Sequence, residues 1–288
     1  MSKGLIITGL AVVLVAGLYA CASPSAILNS VLPESGYRLS TLNYGPHSRQ
    51  KVDIYRPAQA DVSGKPVIVF VHGGAWRTSG KAEYKFLAHA LTDLGYVVVI
   101  PEYRVFPEVK FPAFIDDVVS ALARVNVVQP DLLSTSGQKI ILMGHSSGAH
   151  TAALLMTDTR YLGRRLPEVE VVGLIGLAGP YDLPMQDPEV KPVFAGMNEQ
   201  LVNPVLQVEQ ALPPVLLLHG AGDKRVKRFH TEHFAAALSK AGGQVDMRIY
   251  EGESHVSILA GLAAPLRFIN HSYQDITRFL RRTVDNQH

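Results

Sequence analysis

The sequence predicts an α/β fold in which helices cover both faces of a mostly parallel central sheet. Short apolar runs rich in β-branched residues alternate along the chain with longer segments of helical spacing. Most of these runs lack polar alternation, as expected for strands that are buried on both faces. Because strand and helix follow one another throughout, the connections are predicted to be right-handed crossovers.

The predicted elements follow from apolar runs and from stop signals. The strands are Lys51 to Tyr55, Pro66 to Val71, Tyr96 to Ile100, Lys139 to Met143, Val171 to Leu177, Val215 to Leu218 and Val245 to Tyr250. Several helices end at glycine or before proline, both of which terminate helices. The helices are Lys81 to Leu94, Ala113 to Val128, Ser147 to Met156, Phe229 to Ala241 and Tyr273 to Val284.

The interval Tyr181 to Pro214 interrupts the alternation of strand and helix. Prolines occur there at high density, which excludes a long helix. We therefore predict a small cap insertion at about residues 181–214, which passes over the carboxyl ends of the strands. Loops of this length in compact proteins are usually functional or mobile.

The first twenty residues have the pattern of an export signal. Lys3 precedes Leu5 to Ala20, an apolar stretch without charge that is short for a membrane span. The end of the stretch, Leu18 to Cys21, resembles a bacterial lipoprotein box, in which the cysteine is lipidated after cleavage. An uncleaved anchor helix and a plain signal peptide are alternatives. We expect a signal peptide or anchor over residues 1–20, a tether over 21–43 and a folded domain over 44–288.

All three alternatives send the domain out of the cytosol. The expected location is the periplasmic face of the envelope, with membrane attachment through the N-terminus, or else a periplasmic or secreted form. The net charge of +2 over 288 residues is too small to indicate a nucleic-acid partner. Cys21 is the single cysteine, so an intrachain disulfide and a thiolate metal cluster are excluded.

The strongest motif is the pentapeptide from Gly144 to Gly148, which reads G-H-S-S-G. It directly follows a predicted strand and opens a predicted helix, the context in which G-x-S-x-G holds a nucleophile. The tight turn should expose the hydroxyl of Ser146 and aim the amides of a helix N-terminus at the reacting oxygen. Ser147 is the rival hydroxyl, but it lies off the centre of the pattern and is assigned a backbone role.

A second motif, His72 to Trp76, follows another predicted strand. Its glycines would let the backbone approach a reacting carbonyl, and fixed amides there stabilise a developing oxyanion. The predicted donors are the amides of Gly74, Ala75 and Ser147. Trp76, together with His145, is predicted to line the pocket, and a packed core position is the alternative for Trp76.

Asp223 and His255 each follow a later strand, which gives the chain order serine, aspartate, histidine. A serine hydroxyl needs a neutral imidazole beside it, and the imidazole needs a carboxylate to fix its tautomer. Glu251 and Glu253 are competing carboxylates. Among other groups, His219 is expected to be structural, His230 and His233 to lie on a helix surface, and Asp116 or Asp117 to pair with Arg104.

Together these motifs resemble bacterial carboxylesterases with the α/β-hydrolase fold. The matching segments are HGGAW, Glu102 to Arg104, Pro107-Glu108, Phe111-Pro112, GHSSGA, HGAGD and ESH. The branch resembled includes hormone-sensitive-lipase-like esterases, feruloyl-esterase-like hydrolases and kynurenine formamidases, and the similarity runs from about Tyr44 to the C-terminus.

The resemblance implies a serine hydrolase that cleaves small carboxylic esters through an acyl-enzyme. It implies the triad Ser146, Asp223 and His255, the oxyanion donors named above, and no metal or organic cofactor. The expected partner is a small-molecule ester. An arylformamidase or amidase on the same triad is the first alternative, because fold and triad do not fix the leaving group. A non-catalytic envelope binding protein is the second.

Overall fold

The computed structural model describes Asn29, residues 35–134 and residues 137–285. The expected signal sequence, the predicted lipidation residue Cys21 and most of the expected tether lie outside these residues. Within the described part of the chain, no helix has the length and apolarity needed to cross a membrane.

The described residues form an eight-stranded sheet with the order β1-β2-β4-β3-β5-β6-β7-β8. Its strands are β1 Tyr37–Asn43, β2 Lys51–Pro57, β3 Val67–Val71, β4 Val98–Pro101, β5 Lys139–His145, β6 Glu170–Leu177, β7 Val215–Gly220 and β8 Val245–Tyr250. Strand β2 is antiparallel to both β1 and β4, and the remaining pairs are parallel. Each predicted strand is present, and the predicted mostly parallel sheet is confirmed.

The predicted tether is wrong at its C-terminal end. Tyr37–Asn43 pairs with Lys51–Pro57 along its whole length, so the folded domain begins before residue 44. The sequence YRLSTLN is mostly polar and lies at the edge of the sheet, where most of its residues are only partly buried. It therefore lacks the continuous apolar run that identified the central strands.

Helices flank the sheet at nearly the predicted positions. They are α1 Lys85–Asp93, α2 Ala113–Val128, α3 Pro130–Ser134, α4 Ser147–Thr157, α5 Arg160–Gly163, α6 Glu199–Val202, α7 Phe229–Lys240, α8 Ser257–Ala260 and α9 Ser272–Asp285. The predicted helix Lys81 to Leu94 is interrupted, because its first turn, Lys81–Tyr84, is a 3-10 helix. Further 3-10 turns occur at Pro204–Gln207 and Ala264–Leu266.

Successive residues of the central strands face opposite sides of the sheet, and each side has its own core. Val69 and Val71 of β3 pack on one side with the apolar faces of α2 and α4. Ile68 and Phe70 pack on the other side with α1 and α9. This two-sided burial explains the uninterrupted apolar runs, and it confirms the predicted helices on both faces.

The segment between β6 and β7 includes the interval for which a cap insertion is predicted, and it is called the cap below. Its only regular pieces in the described structure are the single-turn α6 and the 3-10 turn Pro204–Gln207, as its proline content requires. The cap is anchored by buried aromatic residues, and the ring of Phe194 packs edge-on against Trp76 at a centroid distance of 4.9 Å. The cap is thereby fixed above the carboxyl end of β3.

Candidate active site

The turn between β5 and α4 holds Ser146 in a strained conformation. Its φ of 55° and ψ of −127° lie where non-glycine residues are rarely found. The flanking glycines allow this turn to pack against its neighbours. A Cβ on Gly148 would lie 2.1 Å from the carbonyl oxygen of Val71, and one on Gly144 would lie 2.4 Å from the backbone of Gly148. The predicted requirement for glycine at both positions is confirmed.

Three predicted side chains converge at this turn. His255 Nε2 lies 2.9 Å from Ser146 Oγ, and His255 Nδ1 lies 2.7 Å from Asp223 Oδ2. Both distances are those of good hydrogen bonds. A carboxylate can only accept, so Nδ1 carries a proton, and neutral Nε2 can then accept from the serine hydroxyl. The three residues reach this point from the ends of β5, β7 and β8, as the chain order predicted.

The carboxylate of Asp223 is held by backbone as well as by His255. Its Oδ1 accepts hydrogen bonds from the amides of Arg225 and Val226 at 2.8 and 2.9 Å. Burial opposes ionisation of this carboxyl, but the hydrogen bonds from His255 and these amides outweigh burial and lower its pKa. Asp223 is therefore a fixed anion opposite the imidazole.

The competing groups do not enter this chain of hydrogen bonds. No hydrogen bond joins Glu251 or Glu253 to His255 within residues 137–285, and Glu251 is exposed. His219 is fully buried, with Nδ1 2.8 Å from the Thr231 hydroxyl and Nε2 2.9 Å from the Val226 carbonyl. His219 therefore supports the loop that carries Asp223, as expected for a structural histidine.

The turn after β3 presents backbone amides beside Ser146. Gly74 and Ala75 both have positive φ, 115° and 53°, a backbone conformation that is uncommon for a residue other than glycine. Among the described residues, the amides of Gly74, Ala75 and Ser147 have no hydrogen-bond partner. The next amide, that of Trp76, donates to Ser147 Oγ at 3.4 Å, so the hydroxyl of Ser147 contacts the backbone of this turn.

Buried polar residues pack against the turn that follows β3. The ring of His72 stacks on Tyr103 at a centroid distance of 4.1 Å, and the Tyr103 hydroxyl donates to the His72 carbonyl at 2.7 Å. Burial lowers the pKa of His72 to about 3, so the ring is neutral near pH 7. Nearby, Arg104 forms a bidentate pair with Asp117, whereas Asp116 takes no part. These contacts fix the turn before any substrate binds.

A small cavity of about 140 Å³ opens above Ser146. Trp76 lines it and is only 4% exposed, so its pocket and core roles coexist. On the cap side the cavity is lined by Pro180, Pro184, Asp187 and Glu189 and by two buried apolar side chains, Leu183 and Val190. Nothing in the sequence pattern connected these two cap residues to the nucleophile, because their placement depends on how the proline-rich segment folds back.

Two histidines lie elsewhere than predicted. His145 does not line the cavity, because its buried ring packs behind the ring of His255 at a centroid distance of 4.9 Å. His230 is not a surface residue, since it is 6% exposed and lines the cavity. Its Nδ1 accepts from the Asp182 amide at 3.3 Å, and burial lowers its pKa to about 4. His233 is exposed, as expected.

The sheet order and the placement of a serine, a histidine and a carboxylate at its carboxyl edge define an α/β-hydrolase. Within that fold, the chain belongs to the BD-FAE family, whose model matches residues 52–238. The predicted resemblance to α/β-hydrolase carboxylesterases is thereby confirmed.

Individual relatives and solved structures agree with this placement. The isoprenylcysteine alpha-carbonyl methylesterase ICME of Arabidopsis thaliana is 30% identical over 250 residues, 78% of this chain and 57% of that protein. The chain thus spans somewhat over half the length of this relative. Esterase LipC of Mycobacterium tuberculosis is 30% identical over 62% of this chain and 50% of its own length. An inhibited esterase B from Lactobacillus rhamnosis has the same fold, with a TM-score of 0.76, 16% identity, and coverage of 94% of this chain and 96% of its own.

Proposed function

We propose that the protein is a serine hydrolase that cleaves small carboxylic esters through an acyl-enzyme. In this proposal Ser146 is the nucleophile, His255 the general base and Asp223 the carboxylate that orients the imidazole. The observation that carries it is the continuous chain of hydrogen bonds, 2.9 Å from Ser146 to His255 and 2.7 Å from His255 to Asp223. The esterase relatives support the same reaction class.

Acylation follows from this geometry. As Ser146 Oγ attacks the ester carbonyl carbon, its proton passes to His255 Nε2, and the new imidazolium is stabilised by ionised Asp223. Negative charge develops on the carbonyl oxygen, where the amides of Gly74, Ala75 and Ser147 can donate. Each such donor is worth roughly 2.7–4 kcal/mol of transition-state stabilisation. Collapse of the tetrahedral intermediate then breaks the ester C–O bond, and His255 returns the proton to the leaving alkoxide.

Deacylation repeats the same steps with water as nucleophile. His255 Nε2 takes a proton from the water, the hydroxide oxygen attacks the acyl carbon, and the Ser146 oxygen leaves with the proton that His255 returns. The same amides stabilise the second oxyanion. The products are a carboxylic acid and an alcohol, and the serine is regenerated.

The cavity supports a preference for small substrates. Its volume of about 140 Å³ lies below the range of roughly 300–1,000 Å³ typical of pockets for drug-sized ligands. Trp76 and the buried cap residues Leu183 and Val190 are among the side chains that line it. Short acyl groups fit this space, whereas long chains would have to extend into solvent.

A fluorophosphonate probe and p-nitrophenyl acetate test the assignment. We expect the probe to label the wild-type protein and the ester to be hydrolysed, and both signals to be lost in Ser146→Ala. Ser120→Ala, which changes a serine on the exposed side of α2, is the matched control and should behave as wild type. Labelling of Ser146→Ala at the wild-type rate would refute the nucleophile, and lack of turnover in the wild type would favour the non-catalytic alternative.

A second candidate reaction is hydrolysis of an aryl formamide. The kynurenine formamidase of Danio rerio is 27% identical over 232 residues, 78% of this chain and 76% of its own length. That enzyme's name indicates an amide substrate, and the same triad could expel an amine. Comparison of formylkynurenine with aryl acetates at equal concentration decides between them. We expect the acetates to be turned over faster, and the reverse order would assign the protein as a formamidase.

We also propose that the protein is exported and held at the membrane as a lipoprotein through Cys21. The support is the charge at Lys3, the apolar stretch Leu5 to Ala20 and the lipobox-like end of that stretch. Asn29 bonds to the Ala82 carbonyl and the Phe86 amide, so with Asn29 and β1 assigned to the domain the proposed tether is confined to residues 21–28. Metabolic labelling with palmitate should mark the wild-type protein and not Cys21→Ser. If neither protein is labelled and both are released into the soluble fraction, the segment is a plain signal peptide. If neither is labelled and both stay in the membrane, it is an uncleaved anchor.

A further inference from the structure

A buried set of hydrogen bonds connects the turn that carries Gly73 to the loop that carries His255. Its centre is His145, the residue before Ser146, whose ring is 5% exposed and packs against the ring of His255. His145 Nε2 lies 3.0 Å from the backbone carbonyl oxygen of His255. On its other side, His145 Nδ1 lies 3.1 Å from the hydroxyl of Tyr84.

The chemistry of the groups fixes the direction of each hydrogen bond. A carbonyl oxygen can only accept, so Nε2 of His145 carries a proton and donates to His255. Burial lowers the pKa of His145 to about 3, so the ring is neutral near pH 7 and Nδ1 is an acceptor. Burial also raises the pKa of Tyr84 to about 12, so its hydroxyl is protonated and donates to Nδ1.

The same hydroxyl completes the connection. The amide of Gly73 donates to the Tyr84 oxygen at 3.2 Å, and Gly73 precedes Gly74, a proposed oxyanion donor. A Cβ on Gly73 would lie 3.1 Å from His145 Nδ1, so the turn packs tightly against the imidazole. Three consecutive hydrogen bonds thus join the Gly73 amide, the Tyr84 hydroxyl, the His145 ring and the His255 carbonyl. One assignment of proton positions satisfies all three.

We propose that His145 and Tyr84 are positioning residues, which hold the backbone of His255 and the oxyanion turn in a fixed spatial relation to Ser146. This inference rests on the proposed function. Through its carbonyl, His145 fixes where the chain places the His255 imidazole. Through its hydrogen bond with Tyr84, the His145 ring also fixes the position of the Gly73 amide, which immediately precedes the proposed oxyanion donors. Neither side chain has to touch substrate, so both act on the rate of acylation rather than on ground-state binding.

The chain of hydrogen bonds from Gly73 through Tyr84 and His145 to His255 is called the relay below. Four variants test its role in positioning. His145→Phe keeps the ring and removes both hydrogen bonds, whereas His145→Gln keeps an N–H donor that can reach the His255 carbonyl. Tyr84→Phe removes one hydroxyl and leaves the packing against Phe70. His89→Gln is the matched control, since His89 is a buried histidine on α1 with its ring beside Asp93 and no contact with the relay.

The readout is the acylation rate per active site, measured with a fluorophosphonate or p-nitrophenyl acetate and normalised by the end-point amount of fluorophosphonate bound. Because a misplacement near 1 Å can cost about 100-fold, we expect His145→Phe to acylate about 10- to 100-fold more slowly at saturating ester, with little change in the dissociation constant of the ester. His145→Gln should recover to within about 3-fold of wild type, since it restores the donor to the carbonyl. Tyr84→Phe should fall by about 3- to 10-fold, and His89→Gln should match wild type.

A contribution to folding alone would lower the number of titrated sites but not the rate at each site. Equal rates per site in His145→Phe and wild type overturn the relay, and so does an equal loss in His145→Gln and His145→Phe. A loss in His89→Gln as large as that in His145→Phe overturns it as well. If His145→Phe does not fold, Tyr84→Phe decides alone, and a wild-type rate refutes the proposal. A wild-type protein that neither reacts with the fluorophosphonate nor hydrolyses p-nitrophenyl acetate refutes the proposed function instead.

Discussion

The nucleophile turn, residues 144–148, and the histidine loop, residues 251–257, supply the two groups that exchange a proton, but different forces hold them. The nucleophile turn lies between two buried elements and is fixed by steric fit, since Gly148 has no room for a Cβ beside Val71. The histidine loop follows β8, an edge strand whose residues are intermediate or exposed. His255 donates to the Asp223 carboxylate and accepts from His145, and these side-chain bonds hold the loop in place together with a backbone bond from the Gly222 amide to the Glu253 carbonyl.

The difference separates what is rigid by packing from what is rigid by polar contacts. Steric fit is encoded within a few residues, so changing one glycine should damage the fold. Polar contacts to the histidine loop come from distant segments, so removing one of them should damage the reaction and leave the fold largely intact. Each of the following predictions tests one side of that comparison.

The largest expected effect is on the polar side. Asp223→Asn should lower kcat by about 10⁴-fold, because an amide in place of the carboxylate favours the wrong imidazole tautomer and leaves the imidazolium unsupported. The folded structure should persist, since the Asn oxygen can still accept from the amides of Arg225 and Val226. Steady-state hydrolysis of p-nitrophenyl acetate and the midpoint of urea unfolding measure the two quantities.

Asp61→Asn, at an exposed turn far along the chain, is the matched control and should leave kcat unchanged. A drop of less than about 100-fold in Asp223→Asn would mean that the orienting role of this carboxylate is small. That result would also weaken the distinction between the two regions.

The next effect is on the steric side. Gly148→Ala should cost about 3 kcal/mol or more of the free energy of unfolding, because its Cβ would lie 2.1 Å from the Val71 carbonyl oxygen and α4 would have to move away from β3. Gly163→Ala is the control, since nothing lies within 4 Å of a Cβ at that helical position. It should stabilise the protein by about 0.4–1 kcal/mol. Equal urea midpoints for the two variants would contradict the steric account.

Three buried histidines lie near the nucleophile turn, and their protonation should limit the stability of the folded protein at low pH. Burial lowers the pKa of His72, His145 and His150 to about 3, whereas an ordinary histidine has a pKa of 6.5. As pH falls from 6.5 towards 3, the unfolded chain binds protons that the folded chain does not. Each of these histidines therefore removes about 1.4 kcal/mol of stability per pH unit in that range.

Glu102 acts in the opposite direction, because burial raises the pKa of its carboxyl and the folded state then binds the proton first. The three histidines outweigh it, so the urea midpoint should fall steadily from pH 6.5 to pH 4.5. Replacing His150 with leucine should flatten that slope by about 1.4 kcal/mol per pH unit, whatever it does to stability at pH 7. A midpoint that stays constant over this range would show that these rings are protonated in the folded state.

The same comparison explains which features could be predicted from the sequence. Ser146 and the glycines around it form a local pattern, because a strand, a tight turn and a helix are consecutive in the chain. Asp223 and His255 were reached through chain order. The sequence does not identify strand β1, because this mostly polar segment becomes a strand only through its pairing with β2. The prediction for His145 is wrong because sequence adjacency to Ser146 does not determine which way the ring points. The prediction for His230 is wrong because the cap that covers it has no regular sequence pattern.

The smallest effect concerns the cavity, whose far wall comes from that cap. Leu183→Ala removes a buried side chain that lines the cavity opposite Trp76, so longer acyl chains should gain room. We expect the ratio of kcat/KM for p-nitrophenyl hexanoate over acetate to rise by about 10-fold, since a methylene or two in an apolar pocket is worth about 1–3 kcal/mol. Leu166→Ala, a buried leucine away from the cavity, should lose a similar stability of about 2–4 kcal/mol without changing that ratio. A shift in both variants would mean that loosening of the whole domain, rather than the shape of the cap, sets the acyl-chain limit.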